Sequence, residues 1–273
     1  LSLDGRGSNI DNAAGKLVAK DSFLCYGDSS VTIDDLAFTI YGDSTNRKVS
    51  FNSDVVDISI TGVFNPIELP EAFRNLVAEV MPSLAEPVQI DKKEVFQFSI
   101  NYKTDNSISS LLIPGLRIDA NTSLYGSFDS EQRRLEISFL SPGIDYSKFS
   151  VDNISADMGK MGEIFKARIF ANDFFIDSLN FGNPDLDIEV YNDFVDFKTG
   201  WYAATGNSSA KLEMHADFFS KDHFIVELEP GYFNIRDLRW DIDEKATLED
   251  LGNADLVIVS IPVDKTVELL PVI

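Results

Sequence analysis

Basic residues, cysteine and histidine are scarce in this sequence, and each scarcity removes a class of chemistry. Lys and Arg number 23 against 45 Asp and Glu in 273 residues, a formal charge of −22. A surface that acidic repels phosphate backbones and anionic headgroups, which excludes nucleic acid as a partner. The single cysteine, Cys25, permits no intrachain disulfide and no all-cysteine metal site. No apolar run approaches the roughly 18 residues of a membrane span, and no basic-then-apolar leader is present. The chain opens at Leu1 and stops at Ile273 inside an apolar run. That reads as an internal piece of a longer protein, with any membrane anchor expected outside it. Hydrophobic residues make up 44%, an ordinary share that argues for a folded core and against disorder.

What the sequence has in abundance is alternation with a period of two. Val56, Ile58 and Ile60 alternate with Asp57, Ser59 and Thr61, and Phe96, Phe98, Ile100 and Tyr102 with Gln97, Ser99, Asn101 and Lys103. The pattern returns at Leu116–Ile118–Ala120, Leu135–Ile137–Phe139, Phe165–Ala167–Ile169, Leu186–Ile188–Val190, Leu212–Met214–Ala216–Phe218 and Phe224–Val226–Leu228. Successive strand side chains point to opposite faces, so each segment has one apolar and one wet face. Turn clusters separate them at Tyr41–Ser44, Ser141-Pro142-Gly143, Gly182–Asp185 and Gly206–Ser209. These strands leave two architectures open: two sheets closed as a sandwich, or one long curved sheet folded into an apolar-lined trough.

One helix interrupts the series. Pro70 suits a first helical position, Phe73, Leu76, Val77 and Val80 make an apolar stripe, and Pro82 ends the run. With Glu71, Arg74 and Glu79 on its polar side it lacks the basic face of a membrane-surface helix, and reads as a plug or cover for an open sheet. Past Asp243 the grammar changes. Leu256–Ile261 is nearly continuous apolar sequence, as in a strand buried on both faces, followed by Pro262 and a short helix capped by Asp264. A boundary near Asp243 therefore divides residues 1–242 from a β-α tail over 243–273.

Catalytic machinery is not found. His215 and His223 fall on consecutive strands with Asp217 and Asp222 nearby, but zinc would need a further close ligand, so they read as solvated hairpin residues. No Gly-x-Ser-x-Gly elbow supports a serine nucleophile. Cys25 has no histidine near it in sequence and reads as a small half-buried side chain. Asp185, Asp187 and Glu189 share a strand face without a calcium loop, and Gly5-Arg6-Gly7 lacks the third glycine of a phosphate cradle. No enzyme activity, cofactor or metal is expected.

A family resemblance rests on ordered phrases along residues 1–242. They are Phe51-Asn52-Ser53-Asp54 leading into Ile58-Ser59-Ile60-Thr61-Gly62, the helix ending in Met81-Pro82, and Phe96-Gln97-Phe98-Ser99-Ile100. Leu116-Arg117-Ile118 into Leu124-Tyr125-Gly126-Ser127-Phe128, Leu135-Glu136-Ile137, and Leu228-Glu229-Pro230-Gly231-Tyr232-Phe233 running to Leu238-Arg239-Trp240 complete them. In these the chain resembles the TamB family, the AsmA-like translocation and assembly module proteins, in its Bacteroidetes-type members. The resemblance implies a mainly β fold: an elongated, curved antiparallel sheet forming a U-shaped hydrophobic trough (a β-taco) with one short amphipathic helix. It implies a periplasmic segment anchored to the inner membrane and partnered by phospholipid acyl chains. An outer-membrane β-barrel assembly partner is implied as well. A dozen strands ~4.8 Å apart would give a trough of roughly 50–60 Å. Separately, Ala246-Thr247-Leu248-Glu249 and Ala254–Asp264 resemble a stretch of prephenate dehydrogenase. The glycine-rich loop that enzyme needs is absent upstream, so no dehydrogenase role follows. A chimeric junction and a common β-α phrase each account for the tail.

The expectation is a non-enzymatic scaffold that shields lipid tails or assists outer-membrane protein assembly. Its trough would be lined by Ile58, Ile60, Phe96, Phe98, Ile100, Ile118, Ile137, Phe139, Val226 and Leu228. A charge at Phe98 or Ile137 would block transport and leave the protein folded. The rival is a closed β-sandwich binding glycan or protein in the manner of an adhesin, with Trp201, Tyr202 and Tyr232 as stacking platforms.

Overall fold

The computed structural model describes residues 1–8, 12–26, 29–43, 45–89, 93–104, 108–203, 208–235 and 238–242. The expected β-α tail over 243–273 and the first half of the Gly206–Ser209 turn lie outside them. Among the described residues nineteen strands form one sheet. The first five are β1 (Ser2–Arg6), β2 (Ala14–Tyr26), β3 (Ser29–Asp43), β4 (Asn46–Ser53) and β5 (Val56–Val63), followed by helix α1 (Leu69–Val80). After β6 (Val95–Tyr102) comes a short helix, α2 (Ile108–Leu112). Then follow β7 (Leu116–Ile118), β8 (Ser123–Asp129), β9 (Arg134–Tyr146), β10 (Phe149–Met161), β11 (Ile164–Phe170), β12 (Asp173–Ile176) and β13 (Leu179–Asn180). The last six are β14 (Asp185–Tyr191), β15 (Phe194–Ala203), β16 (Ser208–Ser220), β17 (His223–Leu228), β18 (Gly231–Ile235) and β19 (Leu238–Ile242).

Every pairing is antiparallel, and neighbours in sequence are mostly neighbours in space. The spine runs β1 to β6, then β8, β9, β10, β11, β14, β15 and β16. β16 pairs with β17 along one half and β18 along the other, and β19 lies on β18. β7 extends the ladder on β9, while β12 and β13 extend it on β10. The sheet is open and does not close on itself, which excludes the closed sandwich.

Two corners bend the longest strands. In β2, Asp21 has φ 49°, and in β10, Asn153 has φ 50°. One residue in the left-handed region interrupts the pleat, so the apolar side chains change parity across it. In β3 the apolar positions run Leu36, Phe38, Ile40 on one side of the corner and Val31, Ile33 on the other. Leu36 nonetheless packs in one cluster with Val31, Ile33 and Val55. Ser141-Pro142-Gly143, read from sequence as a turn, lies inside β9 opposite the Asn153 corner. Pro142 lacks an N–H to donate, so the ladder tolerates it there only as a bend. Ala120 falls just past β7, which ends at Ile118.

Helix α1 explains how sharply the sheet curls. It begins as the sequence predicts, with Pro70 in its first turn, and buries Ala72, Leu76 and Val80 at helical spacing. Leu76 and Ala72 pack with Phe64 on Phe96, Phe128 and Leu135. At its far end the Asp193 amide, in the β14–β15 turn, donates to the Val80 carbonyl at 3.0 Å, and the Asp193 carboxylate accepts from Ser83 N–H at 2.8 Å. From β5 to β14 is about six strand spacings, or ~29 Å along the sheet. A 12-residue helix spans only ~18 Å. The strands between must wrap around it, and α1 lies along one rim as a partial roof. At the opposite rim α2 places Ile108 and Leu111 against the Val31–Ile33–Val55 cluster.

Candidate functional site: the apolar face of the sheet

Register converts the separate alternating segments into continuous rows. One row crosses the sheet through directly opposed residues Ile40, Val49, Ile60, Phe98, Gly126 and Ile137. It continues through Met158, Ala167, Ile188, Phe197, Met214 and Leu228. No member is polar. The next row on the same face includes Phe51, Ile58, Ile100, Leu124, Phe139 and Ala156. The row nearest α1 includes Gly62, Phe96, Phe128, Leu135, Lys160 and Phe165, and ends on Val226.

Nine of the ten expected lining residues therefore share one face: Ile58 and Ile60 on β5, Phe96, Phe98 and Ile100 on β6, Ile137 and Phe139 on β9, and Val226 and Leu228 on β17. Ile118 reaches that face through the corner. It opposes Ile144, which opposes Val151, which opposes Phe174. The Phe174 ring meets Phe181 at 5.6 Å, and Phe181 meets Trp201 edge-on at 5.3 Å. Trp201 stands on the same side of β15 as Phe197. The lining residues that sequence reasoning missed are the partners from β3, β4 and β10, such as Ile40, Val49 and Met158, and those from β8, β11, β14, β15 and β16, such as Leu124, Ala167, Ile188, Phe197 and Met214.

The face is not uniform in cover. Under α1 it is sealed: Phe96 is 4% exposed and contacts the rings of Phe64, Phe98 and Phe128 at 5.7, 6.0 and 5.2 Å. The Phe98 ring lies over Gly126, where an added Cβ would stand 2.2 Å from Cζ. These two facts correct the expectation for Phe98 and Ile137. Both pack against the sealed cluster, so a charge at either removes core packing as well as lining. Ile58, 36% exposed on the floor, is the cleaner position for such a test.

The opposite face is polar along its middle rows, while Leu140, Met161, Ile164, Phe170 and Phe194 stand exposed on it outside those rows. One row runs Thr39, Ser50, Ser59, Ser99, Tyr125, Ser138 and Asp157, then continues with Arg168, Asp187, Lys198 and Glu213. Hydroxyl pairs join Thr39 to Ser50 at 2.5 Å and Ser59 to Ser99 at 2.9 Å. Asp187 pairs with Arg168 at 2.7 Å and Glu189 with Lys166 at 2.7 Å, so these two of the β14 acidic trio belong to a cross-strand charge ladder, while Asp185 opposes Phe170 and Gly200. Near the corner, burial and then the carboxylates of Asp173, Asp145 and Asp119 push the Asp152 carboxyl up. Among the described residues no group of three or more His, Cys, Asp or Glu is placed to hold a metal ion.

The histidines sit apart. His215 opposes Asp196 and Glu227, with Nδ1 2.5 Å from Asp196 Oδ1 and Nε2 3.3 Å from Glu229 Oε1. His223 opens the next strand, its ring tilted by 38° against that of Phe219 at 5.1 Å. Cys25 is exposed, not half-buried. Tyr202 and Tyr232 lie on the polar face, with Arg239 over the Tyr232 ring at 4.6 Å, while Trp201 is on the apolar one. The three aromatics thus form no common platform.

The Asp196 hydrogen bond raises the His215 pKa above its ordinary value; partial burial opposes this, and the charges of Asp196 and Glu229 add to it. A raised folded-state pKa contributes stability that is fully present below the unfolded value of about 6.5 and lost as pH rises through the folded one. The His215 midpoint followed by NMR is expected to lie above that value and to fall on Asp196→Asn. An unchanged midpoint in the variant would remove Asp196 as the cause.

No protein-family model, no curated protein and no solved structure matches this chain. Among the described residues no helix is long and apolar enough to cross a membrane.

Proposed function

We propose that this chain is a non-enzymatic, lipid-shielding scaffold: acyl chains lie along the apolar face of the open sheet while headgroups ride at its wet rim. The observation that carries the reading is the unbroken apolar row from Ile40 to Leu228, set on a sheet that does not close. A water-soluble protein leaves so long an apolar face only where something else covers it. Acyl chains suit that face because they need apolar area and no polar readout. The TamB-like resemblance fits a periplasmic segment of an inner-membrane-anchored protein that passes phospholipid toward the outer membrane or assists outer-membrane protein assembly.

The test is native mass spectrometry of the full chain purified from an envelope extract, with lipid extraction alongside. Copurifying phospholipid is expected, and Ile58→Asp is expected to remove most of it while circular dichroism stays that of a folded β protein. Lipid retained at the wild-type level by folded Ile58→Asp, or a lipid-free wild-type chain, overturns the reading.

A further inference from the structure

Two charged side chains stand in the apolar row nearest α1. Arg47 opposes Gly62 and donates to the Phe64 carbonyl at 3.3 Å beside its ring, and the second is Lys160. Lys160 stands in the row nearest α1, directly between Leu135 and Phe165, with its side chain 1% exposed. The ion pairs Arg117–Asp145, Lys166–Glu189, Arg168–Asp187 and Lys198–Glu213 join facing strands on the polar face; Lys160 instead pairs from the floor up to α1. A buried ammonium is retained only where an anion and further acceptors satisfy its three protons. Lys160 donates to the Glu79 carboxylate from α1, to the Gly162 carbonyl, and to the Arg133 carbonyl at 3.5 Å. Arg133 reaches the other Glu79 oxygen, with Nε 3.5 Å from Oε1. One carboxylate is thus held between an ammonium and a guanidinium, the donor set that also grips a phosphate ester.

The rest of α1 resembles the tail of the same ligand. Leu76 fills the apolar floor beside Phe96 and Phe128. Phe73 meets the same two rings at 6.5 and 6.1 Å, yet is 40% exposed, and Val77, one turn on, is 44% exposed. The helix has no side-chain N-cap and no basic residue in its last turn, so little within it fixes its position. The contacts that fix it are the floor packing, the Asp193 bonds, Glu79, and the Asn75 side chain, which accepts from Val88 N–H at 2.7 Å and donates to the Val88 carbonyl at 2.8 Å.

We propose that Lys160 and Arg133 form a headgroup site for an anionic amphiphile, and that α1 occupies it as a built-in competitor. In this arrangement Glu79 stands where the phosphate would sit, and Leu76 and Phe73 stand where a tail would enter. The inference rests on the lipid-shielding reading and adds to it a charge preference and a gate: an anionic lipid displaces Glu79, the rim lifts, and the floor beneath becomes continuous with the open part of the trough.

The test is a fluorescence titration of the full chain with phosphatidylglycerol and phosphatidylcholine carrying the same labelled tails. Glycerol 3-phosphate serves as the headgroup without tails. Glu79→Gln is expected to tighten phosphatidylglycerol about tenfold with a smaller change for phosphatidylcholine, because the competing charge is gone. Lys160→Met, close in volume, is expected to abolish the preference for phosphatidylglycerol while tail binding persists. An equal change for both lipids in Glu79→Gln, or a preference that survives Lys160→Met, overturns the headgroup site and leaves the lipid-shielding reading standing. Should Glu79→Gln not fold, Lys160→Met alone decides. Displacement of lipid by equimolar glycerol 3-phosphate assigns the site to free phosphate esters and overturns the amphiphile. Binding of neither lipid by any of the three proteins overturns both this inference and the reading beneath it.

Discussion

Phe96→Ala is expected to lower the unfolding free energy by about 3–5 kcal/mol, the usual cost of emptying a well-packed aromatic site. The residue is almost wholly buried, and four other phenylalanine rings meet it: Phe64, Phe73, Phe98 and Phe128. Those rings come from β6, β8, α1 and the segment entering α1, so a cavity there loosens helix and floor together. Urea denaturation followed by circular dichroism would read the change as a lower midpoint. A loss under about 1 kcal/mol would mean that the cluster collapses onto the gap, and that α1 is not held by packing. Because this is the part of the face that α1 seals, the variant also separates two roles. Lost stability with retained lipid would confine Phe96 to holding α1 in place, and the open floor would carry the ligand alone.

A second large effect is expected at Gly62. Its φ of +144° is closed to L side chains, and an added Cβ would lie 2.2 Å from the Val95 carbonyl oxygen and 2.7 Å from the Phe96 Cα. Both obstacles are backbone of the adjoining strand, so neither can swing aside. Gly62→Ala is expected to cost about 1–3 kcal/mol from backbone strain alone. Displacement of β6, and with it Phe96, adds to that. Amide exchange should show the loss concentrated in the β5–β6 ladder. Native protection there in the folded variant would mean that the backbone relaxes into an ordinary extended conformation at no cost.

The strands most legible in the sequence are those short enough to keep one phase. Val56–Ile60, Phe96–Tyr102 and Leu186–Val190 alternate cleanly and fall within β5, β6 and β14. The helix over Leu69–Val80 was legible too, from Pro70, the apolar stripe and Pro82. The long hairpins were not. β2, β3, β9 and β10 each span 13 to 15 residues, and the shift of parity at Asp21 and Asn153 looks in sequence like an end of the pattern. Asp and Asn tolerate the left-handed region better than most residues, but that preference marks turns equally well. The lining could be named only in part for a related reason. Alternation gives each strand's apolar side, and only register shows which residue of the next strand continues it. Lys160 carried no signal at all: a lysine after a glycine near a strand end reads as solvated until α1 is laid over it.

The strand order has a consequence for how the molecule comes apart. Along the spine each strand bonds to the strands beside it, as the repeats of a solenoid do, so cooperativity is transmitted step by step along one dimension. Such an array frays from its two ends. The exception is α1, which joins the β5 end of the arch to the β14–β15 turn through Val80 and Asp193. A tie across the chord turns the strands beneath it into a single cooperative block, a keystone segment between two arms that open more readily. The arms then become the compliant parts of the molecule, able to flatten or tighten around a load without disturbing the block that fixes the curvature.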